Sequence, residues 1–177
     1  VSCGAWKQSK DVTYDVIDFP GAYSLDPMSP DEELTRNLVI DAAEQDRPDL
    51  VIIAVDASSL SRSLYMVAQL TEQENRLVVV MTKADVAAAN GEEINSEKLS
   101  EQLGIPVVPV DPRHRSNVDK IAAVVAEELQ KPKKLYRDVP ADASEFDLVD
   151  RRFEWVEAAV SASTTVKETG QTTLNEK

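Results

Sequence analysis

Short apolar runs alternate with amphipathic segments along most of the chain. The runs at residues 50–55, 77–81 and 107–110 are almost wholly apolar, which is typical of strands buried on both faces of a parallel sheet. Helical spacing and end signals predict helices at residues 30–44, 61–71, 95–103, 116–129 and 144–160. Strands that alternate with helices predict an α/β fold with a mostly parallel sheet.

The two ends of the chain depart from this alternation. Residues 1–7 and 12–17 predict an antiparallel hairpin, which would supply an antiparallel edge strand to the sheet. A Lys- and Pro-rich linker begins at residue 131, so we divide the chain into a domain at 1–130 and a linker with a short helical extension at 131–177. The Thr-rich tail from Ser161 is expected to fray.

Two of the predicted helices carry more detailed expectations. Ser116 and Asp119 have the spacing of a capping box at the start of the helix at 116–129. In the final helix, five apolar side chains are expected to share one side. They are Phe146, Val149, Phe153, Val156 and Val160.

Composition narrows the classes of partner. The chain has 177 residues with 32 acidic against 19 basic side chains, a net charge of −13, which argues against nucleic acid as a partner. A single cysteine, Cys3, excludes an internal disulfide and fits a reducing compartment. The longest apolar run is far too short for a transmembrane helix, so none is expected.

The first candidate for chemistry follows the predicted hairpin. Residues 18–25 read Asp-x-Pro-Gly-x-Tyr-Ser-Leu, which places Asp18, Pro20 and Gly21 at the end of a strand. A carboxylate there can hold hydrated Mg²⁺, and the glycine lets a backbone N–H approach a terminal phosphate. The alternative is that Asp18 is only a turn residue that caps the following segment.

The second candidate follows the strand at residues 77–81. Thr82, Lys83 and Asp85 form the pattern x-Lys-x-Asp, whose carboxylate can accept hydrogen bonds from N1–H and N2–H₂ of guanine. The stem of Lys83 would cover one face of the base. Alternatively, Asp85 is the N-cap of a following helix and Lys83 is a solvated charge. Both motifs, in this order and after strands, indicate a guanine-nucleotide site.

At these motifs the chain resembles the cytoplasmic GTPase region of the bacterial ferrous iron transport protein B family. Residues 18–25 match a family string at every defined position, and the resemblance continues over residues 14–129 and more weakly to the end. It implies a P-loop GTPase-like fold that binds GTP or GDP with Mg²⁺. Asp18 would contact the ion through water, and Gly21 would sense the γ-phosphate.

The chain departs from the family pattern in two motifs, and at Ala22 it differs from Ras-like enzymes. Asp111, Pro112 and Arg113 stand where the family carries Ser-Ala-Lys/Arg, and Pro112 has no N–H to donate to guanine O6. Thr82 replaces the usual Asn and can keep one of its two hydrogen bonds, at a cost of about 1 kcal/mol. Ala22 stands where Ras-like enzymes carry a glutamine that orients water, which implies slow hydrolysis.

The phosphate-binding loop Gly-x-x-x-x-Gly-Lys-Ser/Thr does not occur in the printed sequence, where none of the five glycines is followed by Lys. The strand that precedes this loop in the family does not occur either. We therefore expect that the chain begins inside its domain. A polypeptide that starts at Val1 is expected not to bind GTP measurably, because the phosphates supply most of the affinity.

The resemblance implies a regulatory GTPase domain on the cytoplasmic face of the bacterial inner membrane. The helix after Leu135 would pass the nucleotide state to a transmembrane iron-permease portion beyond Lys177. A second hypothesis is a GTPase-like scaffold that binds no nucleotide and acts only through protein contacts. The missing loop, Thr82 and Pro112 favour that alternative, and the oligomeric state stays open.

Overall fold

The computed structural model describes residues 1–19, 21–26 and 28–167, over which strands alternate with helices. The strands are β1 (Ser2–Lys7), β2 (Thr13–Asp18), β3 (Val51–Asp56), β4 (Leu77–Thr82), β5 (Glu92–Ile94), β6 (Val107–Pro109) and β7 (Thr164–Val166). The α-helices are α1 (Pro30–Arg36), α2 (Leu60–Leu70), α3 (Ala84–Ala89), α4 (Ser96–Leu103), α5 (Ser116–Leu129) and α6 (Glu145–Ser163).

A parallel sheet of three strands, in the order β3-β4-β6, forms the centre of the fold. The apolar run at residues 77–81 is buried throughout, because β4 is the middle strand and is covered on both faces. The register pairs Asp56 with Thr82 and Met81 with Pro109, so all three strands end at the same edge. The predicted α/β class and its parallel sheet are confirmed.

The predicted hairpin is also confirmed, but it forms its own two-stranded sheet. β1 and β2 pair antiparallel from Ser2–Asp18 to Lys7–Thr13, and the rings of Trp6 and Tyr14 meet edge to face at 5.7 Å. In the described part of the chain, β2 pairs with no strand of the parallel sheet. The hairpin instead packs Tyr14 against the apolar cluster around Val78. In the described residues, the hairpin is therefore held against the parallel sheet by side-chain packing and does not form the expected edge strand.

The segment after residue 130 packs onto the same core. The hydroxyl of Tyr136 accepts a hydrogen bond from the N–H of Leu77 at 3.1 Å, which ties the linker to the start of β4. Helix α6 packs against α2 and α4 and buries Val156 and Ala159 in the apolar cluster that also contains Leu64. Residues on both sides of position 130 thus share one hydrophobic core.

The buried side of α6 differs from the one expected. Val156 is buried, and Val149 and Val160 are half-buried, but Phe146 and Phe153 are 73% and 53% exposed. The reason is an ion pair of Arg152, described below. Val156 and Ala159 share its side of the helix and are buried with it. Phe153 instead lies against the ring of Tyr65, with 5.1 Å between the ring centres.

Several predicted helix ends also need correction. The helix expected over residues 30–44 is α-helical only to Arg36 and continues as a π-helical segment, Asn37–Asp41. The capping box of Ser116 and Asp119 is wrong, because Ser116 is already helical and Arg115 precedes it without a side-chain cap. A capping box does exist at the start of α6, between Ser144 and Asp147.

The expectation of a frayed tail from Ser161 is wrong for the residues that the structure describes. Helix α6 extends through Ser163, and β7 then pairs antiparallel with β5. The carbonyl of Ser163 also accepts from the N–H of Asn95 at 2.8 Å. Backbone pairing with a partner distant in sequence therefore orders this Thr-rich stretch. Residues 168–177 lie outside the described part of the chain.

None of the helices described here is long and apolar enough to cross a membrane.

A buried ion network joins α2 to the helical extension. Glu72 follows α2, and its carboxylate accepts from Arg152 at 2.7 Å and from Arg137 at 3.1 Å. The three side chains are only 8%, 11% and 14% exposed, respectively for Glu72, Arg152 and Arg137. Removing one partner of such a network leaves a buried charge without compensation, which is strongly destabilising.

We predict that Glu72→Ala lowers the free energy of unfolding by about 3 kcal/mol, because two largely buried guanidinium groups lose their counter-ion. Urea denaturation measures this change. The matched control is Glu74→Ala, since Glu74 is exposed and two residues away. This control should stay within about 0.5 kcal/mol of the wild type. Equal stability of the two variants would show that the network does not hold α6 in place.

Candidate functional site

The candidate site lies at the edge of the parallel sheet where β3, β4 and β6 end. In parallel α/β sheets this carboxyl edge is where ligands bind, because the loops that follow the strands converge there. Thr82 ends β4, Lys83 follows it, and Asp111 comes two residues after β6. The structure brings these residues together with Asp85 and Arg113, as five of the eight predicted site residues.

Lys83 makes the turn between β4 and α3. It has φ = 57° and ψ = 31°, a left-handed conformation that costs a non-glycine residue about 1–3 kcal/mol. Its Nζ lies 2.6 Å from a carboxylate oxygen of Asp56, so the side chain runs along the sheet edge from β4 towards β3. The hydrogen bond with Asp56 raises the pKa of Lys83, and it is the main cause of a lowered pKa for Asp56.

Asp85 lies in the first turn of α3 and not at its N-cap. The N-cap position belongs to Lys83, and no side chain caps this helix. The interpretation of Asp85 as an N-cap is therefore wrong. The carboxylate of Asp85 is 63% exposed and accepts from Nη2 of Arg113 at 3.2 Å. It is thus accessible to a base that approaches the sheet edge.

Asp111 and Arg113 form a two-point contact in the loop after β6. Nε of Arg113 donates to Oδ1 of Asp111 at 2.7 Å, and Nη2 donates to Oδ2 at 2.6 Å. The backbone N–H of Arg113 also donates to Oδ1, at 3.0 Å. The side-chain bonds, followed by the backbone bond, lower the pKa of Asp111 from 3.8 to about 2.

The side chain of Thr82 links the ends of β4 and β3 by a hydrogen bond. Its hydroxyl donates to the backbone carbonyl of Val55 at 3.2 Å, which joins the last residue of β4 to β3. A threonine therefore has a structural use at this position in addition to the one expected of it. The hydroxyl oxygen keeps acceptor capacity for a ligand.

The residues of the first motif form a separate group. Asp18 is exposed at the end of β2, opposite Ser2 of β1, and Gly21 is exposed two residues after the last residue of the described segment 1–19. Pro20 lies outside the described residues. Within the described part of the chain, the side chain of Asp18 makes no hydrogen bond or ion pair with the residues at the end of β4 or β6, and the backbone of Gly21 makes no hydrogen bond with them.

The segment after Gly21 runs along α2. The guanidinium of Arg62 stacks over the ring of Tyr23 at 4.1 Å, and the N–H of Leu25 donates to the buried side chain of Gln69 at 2.7 Å. Tyr23 is close enough to Lys83 to contribute to its raised pKa. This proximity is what links the first motif to the second.

Asp56 is the main site residue that the sequence interpretation missed. It ends β3 and bonds Lys83, and it also accepts from the backbone N–H of Ser58 at 2.9 Å. The available signal was an acidic residue at the end of a buried parallel strand, in register with Thr82. No group of three or more metal-binding side chains occurs among the residues that the structure describes.

We predict that the carboxyl group of Asp111 titrates near pH 2 in the folded protein. Because its folded-state pKa lies below the ordinary 3.8, the Asp111–Arg113 contact contributes stability above about pH 4 and loses it as the pH falls towards 2. Carbon-13 NMR of the Asp111 carboxyl group measures this pKa. Arg113→Ala should return it towards 3.8. A wild-type value already near 3.8 would contradict the observed contact.

Comparison with known proteins identifies the family of the chain. The model of the family described as ferrous iron transport protein B matches residues 2–125. A Fe(2+) transport protein A/Fe(2+) transporter FeoB fusion protein of Porphyromonas gingivalis is 39% identical over 99 residues. That match covers 56% of this chain but only 11% of the relative, so the chain spans a small part of its length.

Two solved structures resemble the fold. The FeoB G-domain from Methanococcus jannaschii is 32% identical with a TM-score of 0.65, and it covers 73% of this chain and 80% of its own. The cytosolic domain of the T. maritima FeoB iron transporter in its GMPPNP form has a TM-score of 0.73. It is 24% identical and covers 92% of this chain and 84% of its own. Because the family model matches residues 2–125 of 177, this chain belongs to the ferrous iron transport protein B family.

Proposed function

We propose that this chain forms part of a GTP-binding and GTP-hydrolysing regulatory domain of a ferrous iron transporter. The observation that carries the proposal is the convergence of Lys83, Asp85 and Arg113 at the carboxyl edge of the parallel sheet. The M. jannaschii structure is named a G-domain. The T. maritima structure is named a GMPPNP form, and GMPPNP is a guanine nucleotide.

The guanine base would lie over the end of β4. The exposed carboxylate of Asp85 would accept from N1–H and N2–H₂, a pattern specific to guanine among the common bases. The stem of Lys83, stretched towards Asp56, would cover one face of the base. The hydroxyl of Thr82 would contribute one further hydrogen bond.

The phosphates would lie on the side of the first motif. Asp18 would contact Mg²⁺ through water, and Pro20 and Gly21 would place a backbone N–H beside the γ-phosphate. Gly21 does not have a left-handed φ, and no described heavy atom lies within 4 Å of a Cβ added there. The packing of the described residues therefore gives no reason for glycine, whereas the close approach of a phosphate would.

A polar path would couple this segment to the helical extension. Asp26 accepts from Nε2 of Gln69 at 2.9 Å and lies 3.8 Å from Nη1 of Arg152 on α6. Arg152 in turn binds the buried Glu72. A conformational change around Gly21 on GTP binding would alter these contacts and so shift α6. We propose that α6 passes this change to a membrane-embedded iron permease at the cytoplasmic face of the membrane.

A scaffold that binds no nucleotide is the second candidate. It is favoured because Lys83 and Asp85 already have partners within the chain. In such a scaffold these ion pairs would only stabilise the loops, and neither guanine nor xanthine nucleotides would bind.

We predict that Asp85→Asn in the intact protein loses GTP and gains XTP. The new amide N–H₂ would face the amino group of guanine, so we expect a loss of about 2–4 kcal/mol of GTP affinity. Xanthine carries a carbonyl at that position and would accept from the amide. Isothermal titration calorimetry with both nucleotides measures the exchange.

The matched control is Asp119→Asn, since Asp119 is an exposed aspartate on α5. It should keep wild-type affinity for GTP. The melting temperature of Asp85→Asn should stay close to that of the wild type, because Asp85 caps no helix and is mostly exposed. Unchanged affinities for GTP and XTP in Asp85→Asn would reject the site, and a wild type that binds neither nucleotide would support the scaffold.

A further inference from the structure

Residues 112–114, in the loop after β6, offer no free backbone N–H to a base. Pro112 has no N–H. The N–H of Arg113 donates to Oδ1 of Asp111 at 3.0 Å, and the N–H of His114 donates to the Asp111 carbonyl at 2.9 Å. These bonds close a tight turn around Asp111. A guanine O6 that arrives beside residues 112–114 would therefore need a donor other than their backbone N–H groups.

The guanidinium of Arg113 is such a donor. Asp111 holds it by two bonds of 2.7 and 2.6 Å, whereas its bond to Asp85 is longer, at 3.2 Å. Nη1, which carries two N–H groups, donates to no acceptor among the residues that the structure describes. Asp111 thus holds the guanidinium in place, while Nη1 keeps donors that no described residue uses.

We infer that the side chain of Arg113 reads the O6 atom of the guanine base. The inference rests on the proposed function, since it assumes that Asp85 accepts from N1–H. O6 and N1 are on adjacent ring positions, so a base bound to Asp85 through N1–H brings O6 next to a donor that already touches Asp85. The anchor on Asp111 lets Arg113 stay in place while the base takes over the carboxylate of Asp85.

This contact adds discrimination at the six-position of the purine. A charged donor forms a stronger bond to a carbonyl oxygen than a neutral N–H does. Adenine carries an amino group at that position, which would set donor against donor beside a fixed positive charge. Arg113 would therefore favour 6-oxo purines and replace the backbone contact that Pro112 cannot make.

The test is a cycle that combines one protein change with one ligand change. Affinities for GTP and for 6-thio-GTP are measured by calorimetry with the intact wild-type protein and with Arg113→Ala. Sulfur accepts hydrogen bonds weakly, whereas N1–H and the amino group stay in place. We expect 6-thio-GTP to bind the wild type about tenfold more weakly than GTP, and the two to bind Arg113→Ala within about twofold of each other.

Two further variants sharpen the cycle. Arg113→Lys keeps a charged donor and should restore part of the preference for GTP. Arg115→Ala removes an exposed arginine two residues away and should keep the full preference. A tenfold preference that persists in Arg113→Ala would show that another donor reads O6. If both affinities also fall by the same factor, that preference persists because the side chain of Arg113 only orders the loop. A persistent preference overturns the inference in either case.

The same data separate this inference from the proposed function. If the wild type binds GTP, Asp85→Asn loses it, and the cycle shows no coupling, only the role of Arg113 is wrong. If the wild type binds no GTP, or Asp85→Asn keeps it, the guanine site itself is wrong. Melting temperatures of the variants check that each is folded.

Discussion

The central constraint of this fold is the position of β4, a strand covered on both faces and paired in parallel on both edges. Complete burial of a Val or Leu side chain contributes about 1.5–3 kcal/mol, so a five-residue apolar run fixes this strand in the core. Parallel register then sets Asp56, Thr82 and the loop after Pro109 at one edge. Lys83, Asp85 and Arg113 follow from that register, because each belongs to the loop or helix that leaves a strand end. A shift in the register of β3, β4 or β6 would move the residues predicted to contact the base away from one another.

A second constraint is the buried ion network of Glu72, Arg137 and Arg152, which joins the end of α2 to the helical extension. The carboxylate of Glu72 is compensated by arginines that come from the linker and from α6, so the helical extension has a fixed place on the domain. Arg152 also approaches Asp26, five residues after Gly21. An ion network of this kind has few alternative arrangements, because every member needs a partner in a site of low dielectric. It offers a physical path between the first motif and the extension.

Much of this arrangement could be predicted from the sequence, and the rest could not for identifiable reasons. Apolar runs predicted the strands, and the motif after β4 predicted that Thr82, Lys83 and Asp85 lie together at one sheet edge. The buried side of α6 could not be predicted, because it depends on the ion pair between Arg152 and Glu72, which lie far apart in the sequence. β7 depends on pairing with β5, and Asp56 on its contact with Lys83 across the sheet edge. These contacts join residues far apart in sequence, which local patterns do not encode.

The most direct test of the guanine site is to observe the N1 imino proton of bound GDP by NMR, with ¹⁵N-labelled GDP and the intact protein. A hydrogen bond to the Asp85 carboxylate would protect this proton from exchange and shift its resonance downfield. We expect a sharp imino signal with the wild type and with Asp119→Asn, and none with Asp85→Asn at the same GDP concentration. An imino signal that is unchanged in Asp85→Asn would contradict the account, because the base would then be held by another group.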